Sequence, residues 1–113
     1  MERLNKSHRM SQIVMHGDTI YLAGQVCKDD TQDMKGQTQS VLDKIDAHLE
    51  SVGSNKSKLL MVQIFVSDMS LVGQMNEAWD AWVDQNDPPA RACVQAPFAR
   101  PELLVEMVAT AAI

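Results

Sequence analysis

Near its C-terminus the chain carries two charged residues inside otherwise apolar or small stretches: Arg91 in ARACVQA and Glu106 in LLVEMVATAAI. An ionised carboxylate buried without a partner is costly, so Glu106 must be solvated, neutral or paired. Arg91 is its first candidate partner, and Arg100, in the irregular PFARPE segment, its second. A planar guanidinium also offers two parallel donors to the carboxylate of a small substrate. A plainer reading stands beside this one: Glu106 on an edge strand, pointing to water, near an unremarkable arginine. Residue types and spacing leave both open.

The remaining chemistry-bearing residues suggest less. Cys27 and Cys93 form no CxxC pair, and His8, His16 and His48 are too scattered for a metal site, so neither metal nor cofactor is expected. Cys93 reads as a small buried hydrophobe, since no histidine is placed by sequence to activate it. His16 lies beside a turn and should be solvated. Trp79 and Trp82, three apart, suit a core or an interface better than a cofactor box. Gly24, before Gln25, marks a bulge or a close backbone approach.

These residues need elements to hold them. At 113 residues the chain is long enough for one domain, spanning 1–113, with one modest core. Apolar residues make up 45% and charged ones 22%, and there are eight Met against five aromatic residues, so flexible thioethers must fill gaps that rings fill elsewhere. No apolar run resembles a signal peptide or a membrane span, and a reduced, cytoplasmic domain is expected.

SQIVMH and TIYLAGQV flank Gly17-Asp18, which predicts an antiparallel hairpin of residues 11–16 and 19–26 joined by a type II′ turn. Val41, Leu42, Ile45, Leu49 and Val52 form the stripe of a helix starting near Asp33 and stopped by Gly53. KLLMVQIFVSD has two largely apolar faces and predicts a central strand covered on both sides, with Leu60, Val62, Ile64 and Val66 together. Ser70 is the expected cap of a second helix with Met75, Trp79 and Trp82 on its stripe, ending before Pro88-Pro89. ARACVQA and LLVEMVATA then read as two neighbouring strands. Alternation groups Arg91, Cys93 and Gln95 on one face of the first, and Glu106 with Leu104, Val108 and Thr110 on one face of the second. The order β-β-α-β-α-β-β is α+β, a mixed sheet with two helices on one face. Self-association is the natural cover for an apolar second face.

Six segments in order, TIYLAGQV, HLESVGS, KLLMVQIFVSDMS, MNEAW, PPARACVQ and LLVEMVATA, give the sequence a specific likeness over nearly its whole length. It resembles the RidA/YjgF family of small trimeric proteins. The resemblance implies a chorismate-mutase-like fold, a homotrimeric barrel and clefts between adjacent subunits. It also implies hydrolysis of enamines and imines to 2-keto acids and ammonia without a cofactor. By its motifs Arg91 would bind the substrate carboxylate, Glu106 would hold and activate water, and Cys93 would contribute its backbone near that water. Gly24 and Asn76 match further cleft positions. Two positions depart from the active members' pattern: Met10 stands where they carry a tyrosine, and Ala23 where a serine precedes the glycine. That places the chain on a divergent branch, and makes a non-catalytic keto-acid binding module the alternative function. A ribonuclease role, also attached to some relatives, is disfavoured by the net charge of −5 and the lack of a basic stripe. The expected partners are therefore a small imino or keto acid and further copies of the chain, with no nucleic acid and no membrane.

Overall fold

A computed structural model describes residues 1–113. Six strands form one mixed sheet: β1 (Glu2–Lys6), β2 (Ser11–His16), β3 (Thr19–Leu22), β4 (Leu59–Val66), β5 (Ala90–Gln95) and β6 (Val105–Ala112). Their spatial order is β1-β2-β3-β6-β4-β5, antiparallel throughout except for the parallel β4–β5 pair. Helices α1 (Met34–Ser51) and α2 (Val72–Trp82) cover one face. The α+β expectation therefore holds, with one strand more than the sequence reading supplied. ERLNK is too polar to signal a strand, yet its backbone pairs with β2 from Glu2↔Met15 to Lys6↔Ser11. As the sheet's outer edge it has little to bury.

The hairpin turn at Gly17-Asp18 is as expected. Gly17 has φ +60° and Asp18 does not share the left-handed region, which fits type II′. The second strand of that hairpin stops at Leu22, short of residue 26. Ala23 N–H still reaches the Gln12 carbonyl of β2, whereas Gln25 exchanges both backbone bonds with Met107 of β6. The chain has turned over between them, so residues 23 and 24 form a bulge.

Asp33 caps α1 by accepting from Gly36 N–H, and Gly53, at φ +80°, ends it with N–H bonds from Gly53 to Glu50 and from Ser54 to Leu49. The second helix starts differently from the expectation. Asp68 rather than Ser70 is the cap, accepting from Ser70 N–H to open a single 3-10 turn (Met69–Leu71) that runs into α2.

Val41, Leu42, Ile45 and Leu49 of α1 and Met75, Trp79 and Trp82 of α2 are buried against Ile13, Ile20, Val62, Ile64, Val66, Val105 and Met107. Each such side chain contributes roughly 1.5–3 kcal/mol. A register shift between Leu59 and Met61 turns Leu59 into this core and leaves Leu60 outside it. Leu60 thus leaves the face that plain alternation assigned to it. Strand β4 is interior to the sheet, but within one chain only its helix-side face is covered. Met61 and Gln63 are exposed and Phe65 is half-buried. No helix is long and apolar enough to cross a membrane.

Candidate functional site

Strand β6 lies between β3 and β4, so Glu106 is not on an edge. Its burial alternates strictly. Val105, Met107, Ala109 and Ala111 are buried beneath the helices, and Glu106, Val108 and Thr110 lie half-buried on the open face. Glu106 stands opposite Phe65 of β4, which in turn stands opposite Val94 of β5. On its other side is the bulge. A Cβ added to Gly24 would sit 3.0 Å from both Cδ and Oε2 of the Glu106 carboxylate. Glycine at 24 is therefore a matter of close approach: the bare backbone makes room for the carboxylate.

No cation within the chain pairs with this carboxylate. The chain's two ion pairs are Lys35–Glu77 (3.3 Å) and Arg100–Asp30 (3.1 Å). Arg91, the first expected partner, lies on the opposite face of the sheet. It is aligned with Val62, whose side chain is buried under the helices. Its Nη1 donates to Asn76 Oδ1 at 2.9 Å, and its guanidinium carbon is 5.2 Å from the centre of the Trp79 ring. Although exposed, the guanidinium is held by a hydrogen bond and a cation–π contact. Trp79 is itself fixed by Trp82, 5.6 Å away, whose Nε1–H donates to Asp46 at 2.8 Å.

The two strands are also not neighbours, as the sequence reading had them. β5 pairs with β4 in parallel through the α2 crossover, and the 96–104 segment then carries the chain around the end of β4. There Ala96 N–H bonds Val66, and Ser67 N–H bonds Leu104. β6 enters on the far side of β4. Within one chain the structure brings Gly24 to Glu106 and Arg91 to Asn76, and keeps the two pairs on opposite faces.

Cys93 shares the helix-side face with Arg91 and packs half-buried against the core. Burial pushes its thiol pKa up, and the weaker pull of Arg91 does not reverse this, so it is a poor thiolate. Met10, 43% exposed, closes a turn in which the Ser7 hydroxyl accepts from the Arg9 and Met10 N–H groups. Ala23 sits in the bulge, hydrogen-bonded through its backbone to Gln12.

Two polar clusters escaped the sequence reading. Gln37 of α1 is completely buried. Its Nε2 donates to the Glu102 carbonyl at 2.9 Å and its Oε1 accepts from Leu104 N–H at 3.0 Å. It thus fixes the entry to β6 two residues before Glu106. Beside the bulge, a groove of about 420 Å³ is lined by Gln12, Gly24, Gln25, Val26, Lys44 and His48, among others. Gln37 gave no sequence signal beyond its place near the apolar stripe. Lys44 and His48 share a helix side by their spacing of four, but nothing in the sequence says what faces them.

Comparison with known proteins agrees with this architecture. The family model described as Endoribonuclease L-PSP matches residues 1–113. A RutC family protein of Haemophilus influenzae is 44% identical over 109 residues, covering 96% of this chain and 94% of the relative. The crystal structure of a YjgF-family member from Neisseria meningitidis superposes with a TM-score of 0.95 at 39% identity, covering 98% of this chain and 92% of the other. That of RidA from Psychrobacter sp. PAMC 21119 does so with 0.85 at 26% identity, covering 96% and 91%. By sequence along its full length and by fold, the chain belongs to the RutC/YjgF (RidA) family, the group that the Endoribonuclease L-PSP model describes.

Proposed function

We propose that the protein hydrolyses small 2-imino acids to 2-keto acids and ammonia in a cleft formed between two copies of the chain. The observation that carries this reading is the separation of its two charged residues. Glu106 has no cation of its own and faces an apolar surface that no part of its chain covers. Arg91 is held out at the sheet's edge on the other face. A second copy laid on the open face would bury Tyr21 (48% exposed) and Val94 (49% exposed) and bring an edge arginine towards Glu106. Cyclic assembly into a trimer, which the family likeness suggests, repeats this arrangement three times.

In such a cleft Arg91 clamps the substrate carboxylate, which fixes the imine carbon near a water on Glu106. The water oxygen adds to that carbon while Glu106 takes up the water's proton. That proton passes to nitrogen to give a carbinolamine; the new hydroxyl then gives up its own proton, through Glu106, to the amine as the C–N bond breaks, so ammonia leaves and a keto group remains. Positioning supplies much of the acceleration, and the carboxylate's proton transfer adds ~10²–10⁴-fold. Each step uses only side chains of the protein and water. Cys93 supplies backbone polarity rather than a nucleophile, in line with its raised thiol pKa.

The test generates 2-iminopropanoate or 2-iminobutanoate in situ with an amino-acid oxidase or a dehydratase and follows keto-acid release. Acceleration by the wild type and its loss in Arg91→Ala are expected; equal release by both sinks the proposal. Keto-acid stabilisation of the fold without turnover would point instead to a binding module, the role that the missing hydroxyls at Met10 and Ala23 favour. Incubation with RNA completes the comparison, and cleavage lost in Arg91→Ala would replace the imine reading.

A further inference from the structure

The groove beside the bulge is lined by other residues than Glu106, with helix α1 on one side of it. Lys44 and His48 of α1 form one wall, and Gly24, Gln25 and Val26 the other, with Gln12 of β2 at the end. Lys44 is half-buried and takes part in neither ion pair of the chain, which is notable in a protein of net charge −5. The opposite wall is an open strand edge. Gln25 spends its backbone N–H and C=O on Met107, so in an extended chain the N–H of Val26, the next residue, points the other way, towards the groove. It has no acceptor within the chain.

The side chains between these walls have fixed roles. Gln25 Nε2 donates to Gln12 Oε1 at 2.8 Å and to the Ala23 carbonyl at 3.0 Å, so its Oε1 must be the atom facing His48 Nε2 at 3.3 Å. His48 Nε2 therefore carries the hydrogen, and a second proton would go to Nδ1. Facing the imidazole are Lys44 from its own helix, Gln25 and Val26 from the segment after β3, and Gln12 from β2; none is a carboxylate. Burial, and then the charge of Lys44, hold the His48 pKa below its usual value. One arrangement thus gathers a cation, a latent cation and a free backbone donor, with no anion among them.

We propose that this groove is a binding site for a small oxyanion, a carboxylate or phosphate group held by Lys44, His48 and the backbone N–H of Val26. Filling it supplies the negative charge that the imidazole lacks, so binding draws a proton onto His48 and tightens as the pH falls. Gly24 is the shared wall: its backbone lines the groove, and its missing side chain makes room for Glu106. An anion in the groove therefore sits against the backbone that sets the carboxylate's position.

NMR titration of the three histidines over about pH 5 to pH 8, at constant ionic strength, tests this with sulfate, methyl phosphate and pyruvate as separate probes. A saturable rise of about one unit in the His48 pKa is expected, equivalent to about tenfold tighter binding to its protonated form. The Val26 amide signal should move with it, while His8 and His16 stay put. A response to pyruvate alone identifies a carboxylate site, and a response to the tetrahedral anions a phosphate site. Lys44→Gln should weaken the response about tenfold or more. Arg91→Ala should leave it intact, which separates this groove from the cleft. Equal shifts of all three histidines, shifts that do not saturate, or full retention in Lys44→Gln would overturn the proposal. The wild-type titration alone can do so if the variant does not fold.

Discussion

The carboxylate of Glu106 rests against the backbone of Gly24, with Cδ and Oε2 each 3.0 Å from where a Cβ on residue 24 would stand. Gly24→Ala should therefore displace that carboxylate rather than unfold the protein, because the obstructing atoms belong to the end of a flexible side chain. A misplacement of under an ångström at a water-holding group lowers kcat by about 10–100-fold. Imine hydrolysis measured beside thermal unfolding checks this: a large loss of kcat with little change in Tm is expected.

Asn76 and Trp79 hold Arg91 before any substrate arrives. Asn76→Ala removes the 2.9 Å bond from Nη1 but leaves the aromatic seat, so the guanidinium stays charged and near its place while sampling more rotamers. KM for a 2-imino acid should rise several-fold, about 1 kcal/mol of lost pre-organisation, with kcat less affected. Arg91→Lys should fare worse than Asn76→Ala, since an ammonium cannot reproduce the paired donors.

What could be read from the sequence follows from what each element has to bury. The α1 stripe, the Gly53 stop and the alternation around Glu106 were legible because each buries one face of a regular element. Strand β1 was not, since ERLNK lies at the rim and buries almost nothing. The pairing of Arg91 with Glu106 failed for a different reason. Alternation gives the face of a residue relative to its own strand, but not which faces of two strands coincide, nor that β4 lies between them. The bulge at residues 23–24 was hinted at by a glycine within a strand, and its consequence, a groove walled by Lys44 and His48, rests on contacts between distant segments.

Gln37 is a structural anchor for the site. Replacing it by Ala removes its hydrogen bonds to the Glu102 carbonyl and the Leu104 N–H, at a cost of about 1–3 kcal/mol. Because Leu104 lies two residues before Glu106, the loss should reach the site as well. Chemical denaturation should show the lower midpoint, and amide exchange should quicken first at the entry to β6.

His48 gives the fold a pH dependence of known sign. Its folded pKa lies below the unfolded value of about 6.5, through burial first and Lys44 second. Well above that value both states are neutral there and the residue contributes nothing. As the pH falls below it, the unfolded chain binds a proton that folded His48 resists, so stability declines until the folded pKa is passed. His48→Gln keeps a donor for Gln25 Oε1 and cannot titrate. Tm of the wild type should fall more than that of His48→Gln between about pH 7 and pH 5, and parallel curves would refute the assignment.

The placement of Arg91 and Glu106 on opposite sheet faces makes the proposed cleft testable without a structure of the assembly. If each site takes Arg91 from one chain and Glu106 from the next, Arg91→Ala and Glu106→Gln are both inactive alone, yet they complement each other when mixed. In randomly assembled rings of equal amounts of the two, a site is intact when one chain keeps its arginine and its neighbour keeps its glutamate. Each condition holds half the time, so about a quarter of wild-type activity should return. If both residues came from the same chain, every site would lack one of them and mixing would recover nothing. Unmixed samples carried through the same dissociation and reassembly give the baseline. Recovery should also require physical exchange of subunits, so covalently cross-linking each variant before mixing should abolish it.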